Sequence, residues 1–220
     1  MRITLPLILL FLILPFMVWA QPQPVKQEKV GVVLSGGGAS GLAHIGVLKA
    51  LEENNIPIDY ICGTSMGALI GSMYCMGYTP DEIQATILSD EFDSWANGII
   101  EPQYVYYFKK KEDNASWVTF KISPDTTLST SLPTNLISPL PMDFALMERT
   151  AAASAAAGYN FDSLFVPFRC VASDVARKKS VIFKDGDLGE AVRASMSYPF
   201  YLKPIRVNGA LLFDGGLYNN

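Results

Sequence analysis

Residues 29–67 read KVGVVLS-GGGASG-LAHIGVLKALEENN-IPIDYIC-GTSMG, and this stretch decides the fold. Val30, Val32, Val33 and Leu34 form an apolar run that meets glycine directly, the pattern of a buried parallel strand. Leu42, Ile45, Leu48 and Leu51 recur every third residue and give the next segment one apolar helical face. Asn54, Asn55 and Pro57 stop that helix, and Ile58 to Cys62 predicts a second strand. Strand, helix and strand make a βαβ unit with a right-handed crossover. Its two turns, at Gly36–Gly41 and Gly63–Gly67, then fall at the carboxyl end of the sheet, where open α/β folds bind ligands.

The second turn, Gly63-Thr64-Ser65-Met66-Gly67, fits Gly-x-Ser-x-Gly with a strand before it and a helix after it. Such a bend exposes the serine oxygen, and Gly63 and Gly67 flank it because larger side chains would collide. Ser65 is therefore the candidate nucleophile; the plainer alternative is a tight turn with a capping serine. The first turn, with Gly36, Gly37 and Gly38, can aim backbone N–H groups at the oxygen of an ester carbonyl as it gains charge. One such donor contributes about 3 kcal/mol to lowering a barrier. The same residues also spell Gly-x-Gly-x-x-Gly, a dinucleotide fingerprint. That site needs an acid at the end of the second strand, whereas Asp59 stands at its start and the end carries Cys62-Gly63-Thr64-Ser65.

The chain holds one histidine, His44, and none follows Ser65. A triad in the order serine, acid, histidine is excluded by counting. Asp214 is the better proton acceptor. It ends the apolar run Leu211-Leu212-Phe213, is followed by Gly215-Gly216, and is expected at the same sheet edge as Ser65. His44 reads as a structural residue packed under the glycine loop.

Around this core the chain has 220 residues, enough for one α/β domain. Arg2, the apolar run Leu5–Val18 and Val18-Trp19-Ala20 predict a signal peptide over 1–20, cleaved before Gln21, with a polar linker over 21–28. The expectation is an exported protein, in the periplasm, at the outer membrane or secreted. Without residues 1–20, 16 basic face 21 acidic side chains, which argues against nucleic acid as a partner. Cys62, Cys75 and Cys170 lie in apolar stretches without metal-ligand spacing and read as buried free thiols.

Further along, Ala68–Met76 predicts a small-residue helix. Thr79-Pro80-Asp81-Glu82 predicts a capping box opening a helix to Leu88. Pro124, Pro133, Pro139 and Pro141 are expected in loops, Ser116–Ile122 in a strand and Phe144–Ala157 in a helix. Phe168–Val175 and Lys179–Lys184 predict strands, Leu188–Met196 a helix, and Asn208-Gly209 a hairpin. Tyr104–Phe108 followed by Lys109–Lys111 reads as an edge strand with a solvated charge run, or else as an interfacial patch.

The glycine loop with its HIGVLKAL helix, the GTSMG elbow and the late Asp214-Gly215-Gly216, together with ASDV at 172–175 and RASMSYPF at 193–200, resemble the bacterial patatin-like phospholipases. The resemblance covers 29–220. It implies a three-layer α/β domain with a mostly parallel central sheet and helices on both faces. It also implies a dyad of Ser65 and Asp214, an oxyanion hole at Gly36–Gly38, and hydrolysis of phospholipid or other acyl esters at a membrane surface, with no metal or cofactor. Ser40 stands where many relatives have arginine or lysine, which leaves no support for a phosphate contact there. Relatives continue past the position of Asn220, so the expectation is a domain incomplete at its C-terminal end. Exported domains of this kind resemble the passenger half of proteins ending in an outer-membrane barrel, a partner that none of these residues shows. The rival readings are a non-catalytic lipid-binding or passenger domain and a dinucleotide-binding protein.

Overall fold

The computed structural model describes residues 28–100, 119–122, 128–131 and 135–220. The signal segment, nearly all of the linker and the patch at 104–111 lie outside them. The predicted βαβ unit is present as β1 (Gly31–Leu34), α1 (Ala43–Glu53) and β2 (Tyr60–Thr64), with α2 (Met66–Cys75) leaving the elbow. There follow α3 (Pro80–Ile87), α4 (Asp90–Asn97), the strands β3 (Thr119–Ile122) and β4 (Leu128–Ser131), and α5 (Leu140–Ala156). The chain then runs through β5 (Phe168–Asp174), β6 (Lys179–Phe183), α6 (Leu188–Ser195), β7 (Ile205–Val207) and β8 (Ala210–Asp214).

The fold class is α/β. β1, β2 and β5 are parallel neighbours, while β6, β8 and β7 add antiparallel strands, and β3 and β4 form a separate two-stranded sheet. The strands β1, β2 and β5 advance in one direction, so right-handed crossovers place α1 and α2 on the same face. There Leu34, Ile61, Phe168 and Cys170 meet Leu48 of α1, Ile70 and Met73 of α2 and Val192 of α6 in one buried cluster. On the opposite face Val33, Tyr60 and Ile182 are exposed.

Two local expectations change. α5 begins at Leu140, ahead of the expected Phe144, with Pro139 capping it and Pro141 in its first turn. A first-turn N–H has no intrahelical acceptor, so proline there costs no hydrogen bond. The short helix α4 is additional, opened by the Ser89 hydroxyl accepting from the Phe92 N–H. The capping box at Thr79 is formed in both directions, Thr79 Oγ1 accepting from Glu82 N–H and Glu82 from Thr79 N–H. Thr79→Ala is expected to lower stability by about 1 kcal/mol, read from urea unfolding. The three cysteines are free thiols; Cys75 and Cys170 are buried, and Cys62 is half-buried.

Candidate active site

Residue Ser65 sits between β2 and α2 at φ 53° and ψ −122°, a conformation L-residues avoid. The flanking glycines permit the bend by their lack of bulk. A Cβ on Gly63 would lie 2.4 Å from the Gly67 carbonyl oxygen, and one on Gly67 would lie 2.1 Å from that of Leu34.

The partner arrives by an arrangement of strands that alternation patterns do not show. On one side of β5, β2 pairs in parallel as far as Thr64 opposite Val171, and β8 pairs antiparallel from Asp214 opposite Ala172. β6 occupies the other side along Cys170–Asp174. Hence β2 and β8 meet end to end against the same strand, and their last residues are neighbours. Ser65 Oγ donates to Asp214 Oδ2 at 2.6 Å. The expectation that both groups share one sheet edge is refined: β5 continues past them, and the pair sits at the junction of β2 and β8.

Asp214 is only 4% exposed. Its Oδ1 accepts the Gly216 N–H at 2.8 Å and its own N–H donates to the Ser197 carbonyl at 2.9 Å. Burial raises its pKa above the ordinary aspartate value, while the hydrogen bonds from Ser65 and Gly216 hold it back. A carboxylate so placed is a stronger base than a solvated one.

Gly36, Gly37 and Gly38 line a cavity of about 890 Å³ together with Ser65 and Asp214, and its walls include Leu42, Met66, Phe92, Met142, Met196 and Leu202. Gly36, expected among the oxyanion donors, instead directs its N–H to Asn220 Oδ1 at 2.6 Å. That amide is already engaged, while Gly37 and Gly38 line the same cavity beside it. Ser40 turns back, its hydroxyl donating to the Gly37 carbonyl at 2.8 Å. His44 Nε2 lies 2.8 Å from the Ser35 carbonyl oxygen, which can only accept, so this nitrogen carries the proton. His44 thus braces the base of the glycine loop. His44→Ala should cost less than about tenfold in turnover, the scale of one hydrogen bond. Asp59, the acid of the dinucleotide reading, accepts the Val30 N–H at the far end of β1 from the glycine loop. Among the described residues, no cluster of His, Cys, Asp or Glu is arranged to hold a metal, and no helix is long and apolar enough to cross a membrane.

The sequence reading missed two contributors. Ser195 and Asn220 both touch this site through backbone N–H groups, and neither follows a spacing rule that would have marked it.

A serine at a strand-to-helix bend, a buried carboxylate on its hydroxyl and a largely apolar cavity beside them thus come together in one α/β fold. Comparison narrows the class. The model of the patatin-like phospholipase family matches residues 32–220, and the chain belongs to that family. It is 32% identical over 193 residues to patatin-like phospholipase domain-containing protein ZK370.4 of Caenorhabditis elegans, covering 87% of this chain and 12% of that protein. To lysophospholipase NTE1 of Kluyveromyces lactis it is 29% identical over 198 residues, covering 88% and 11%. The chain therefore spans about an eighth of the length of these relatives. The crystal structure of VipD from Legionella pneumophila shares the fold, with a TM-score of 0.54 at 15% identity, over 88% of this chain and 47% of that one.

Proposed function

We propose that this chain is a lipid acyl hydrolase of the phospholipase A or lysophospholipase type, working through Ser65 and Asp214. The observation that carries the reading is the 2.6 Å bond from the Ser65 hydroxyl to a buried carboxylate, at the floor of an apolar cavity. Ser65 Oγ attacks the ester carbonyl as its proton passes to Asp214. Backbone N–H groups of Gly37 and Gly38 stabilise the oxyanion. Collapse breaks the ester bond and Asp214 returns the proton to the leaving alcohol, leaving an acyl group on Ser65. Water then attacks the acyl carbon, Asp214 takes its proton and passes it to Ser65 Oγ, and the fatty acid departs.

The printed names of the relatives, a phospholipase-domain protein and a lysophospholipase, support an acyl-lipid substrate. A membrane surface as partner is supported by Tyr198 and Leu217, which line the cavity yet are exposed, and by Phe200, two residues on from Tyr198 and 77% exposed. Export through a signal cleaved before Gln21 completes the proposal.

The test is labelling with a fluorophosphonate, which reacts with an activated serine. Wild type should label stoichiometrically and hydrolyse a fluorogenic acyl ester, and Ser65→Ala should do neither. Vesicle binding with no labelling would favour a non-catalytic lipid-binding domain. Saturable NAD or FAD binding with no labelling would favour the dinucleotide reading.

A further inference from the structure

The β2–β5 ladder has a break at the nucleophile that is filled by a side chain from elsewhere. The Ile61 N–H donates to the Pro167 carbonyl at 3.0 Å. A parallel ladder repeats every two residues on each strand. In that register the Ser65 N–H should pair with the Val171 carbonyl. It does not. The Ser65 N–H donates to Ser195 Oγ at 2.8 Å, and the Ser195 hydroxyl donates to the Val171 carbonyl at 2.6 Å. The expected bond is thus made in two steps, through one hydroxyl of a residue that is 0% exposed.

Resting on the hydrolase reading above, we propose that Ser195 is a positioning residue for the nucleophile, its hydroxyl acting as a spacer that lifts Ser65 off the sheet. The lifted residue holds the strained bend, and its Oγ stands against Asp214. The same segment fixes the other member of the pair, because the Ser197 carbonyl accepts the Asp214 N–H. Residues Ser195–Ser197 therefore hold both backbones whose side chains meet. Without the hydroxyl, two buried groups, the Ser65 N–H and the Val171 carbonyl, lose their partner. They can meet only if Ser65 sinks toward the sheet and away from Asp214. Misplacement by about 1 Å at a reacting group costs on the order of 10²-fold in rate.

The experiment compares Ser195→Ala, Ser195→Thr and Ser195→Cys in the full chain. Four quantities are read: the rate of fluorophosphonate labelling at Ser65, kcat and KM on a soluble acyl ester, the pH profile of kcat/KM, and hydrogen exchange at the Ser65 amide. In Ser195→Ala, labelling and kcat should fall together by about 10- to 100-fold, with KM within about threefold. The acid limb should move to higher pH, since Asp214 loses the Ser65 hydrogen bond that lowers its pKa. Ser195→Thr, which keeps the hydroxyl, should recover most of the rate.

Labelling of Ser195→Ala within about threefold of wild type, with the acid limb unmoved, overturns the proposal. So does a threonine variant as slow as alanine, because packing rather than the hydroxyl would then matter. Should the alanine variant not fold, the cysteine variant decides. It fills the same space with a weak hydrogen-bonding group, so reduced labelling supports the spacer and a wild-type rate overturns it. If wild type itself does not label, the hydrolase reading fails while the spacer is still judged by exchange. Faster exchange of the Ser65 amide in Ser195→Ala supports the spacer, and unchanged exchange refutes it.

Discussion

Asp214→Asn is expected to leave the protein folded and to remove ester turnover by at least about 10³-fold, the scale on which losing one member of a catalytic serine unit is felt. Ser65→Ala should do the same, and the double variant should be no slower than either, because the two act as one unit. The asparagine variant separates chemistry from stability. Asp214 is buried and its pKa is raised in the folded state, chiefly by burial. A group raised in the fold contributes stability below its unfolded pKa and loses it as pH rises through the folded pKa. Near neutral pH the buried carboxylate therefore weakens the fold, and Asp214→Asn should melt higher than wild type. The difference should close as the pH falls below the ordinary aspartate range. Activity runs the other way: wild-type kcat/KM should fall with decreasing pH through a pKa above the usual aspartate value. A dead His44→Ala beside an active Asp214→Asn would show that the proton acceptor has been misassigned.

Arg193→Ala should give the largest loss of stability among these variants, about 2–4 kcal/mol by urea unfolding. The Arg193 residue is 3% exposed, and its guanidinium makes three directed bonds. They run to Asp143 Oδ1 of α5 at 2.5 Å, to Ser197 Oγ at 2.7 Å and to the Lys203 carbonyl at 2.9 Å. Together they tie α6 to α5 and shape the turn carrying Tyr198, Tyr201 and Leu202, which line the cavity. Removal loosens the segment whose Ser197 carbonyl holds Asp214, so kcat should fall with stability. Arg193→Lys should recover only part of either, since a single ammonium cannot reach three acceptors in a fork. A loss below about 1 kcal/mol would mean the three bonds are worth no more than surface contacts.

Local chemistry was the legible part of this chain. β1, α1 and β2 were readable because the apolar period changes from strand to helix and back, with glycine or asparagine at each change. The capping box at Thr79 and the hairpin at Asn208-Gly209 were readable because each depends on residues within three positions; Asn208 and Gly209 adopt φ 49° and 78° as such a turn requires. α4 escaped because its eight residues carry four polar or acidic side chains before Trp95 and no long apolar stripe. The early start of α5 escaped because proline breaks a helix in its interior and not in its first turn.

By itself the sequence marked the elbow at Ser65, the glycine loop and Asp214 as the candidate partner of the serine. These follow from residue types and short spacings, which backbone sterics tie to particular turns. Only the tertiary structure decided that β2 and β8 end against the same strand, that Asn220 takes the Gly36 N–H, and that the Ser195 hydroxyl completes the ladder beneath Ser65. Each of those facts joins residues far apart along the chain. Such contacts are selected by strand register and by the need to pair buried polar groups, and neither leaves a periodic trace along the chain.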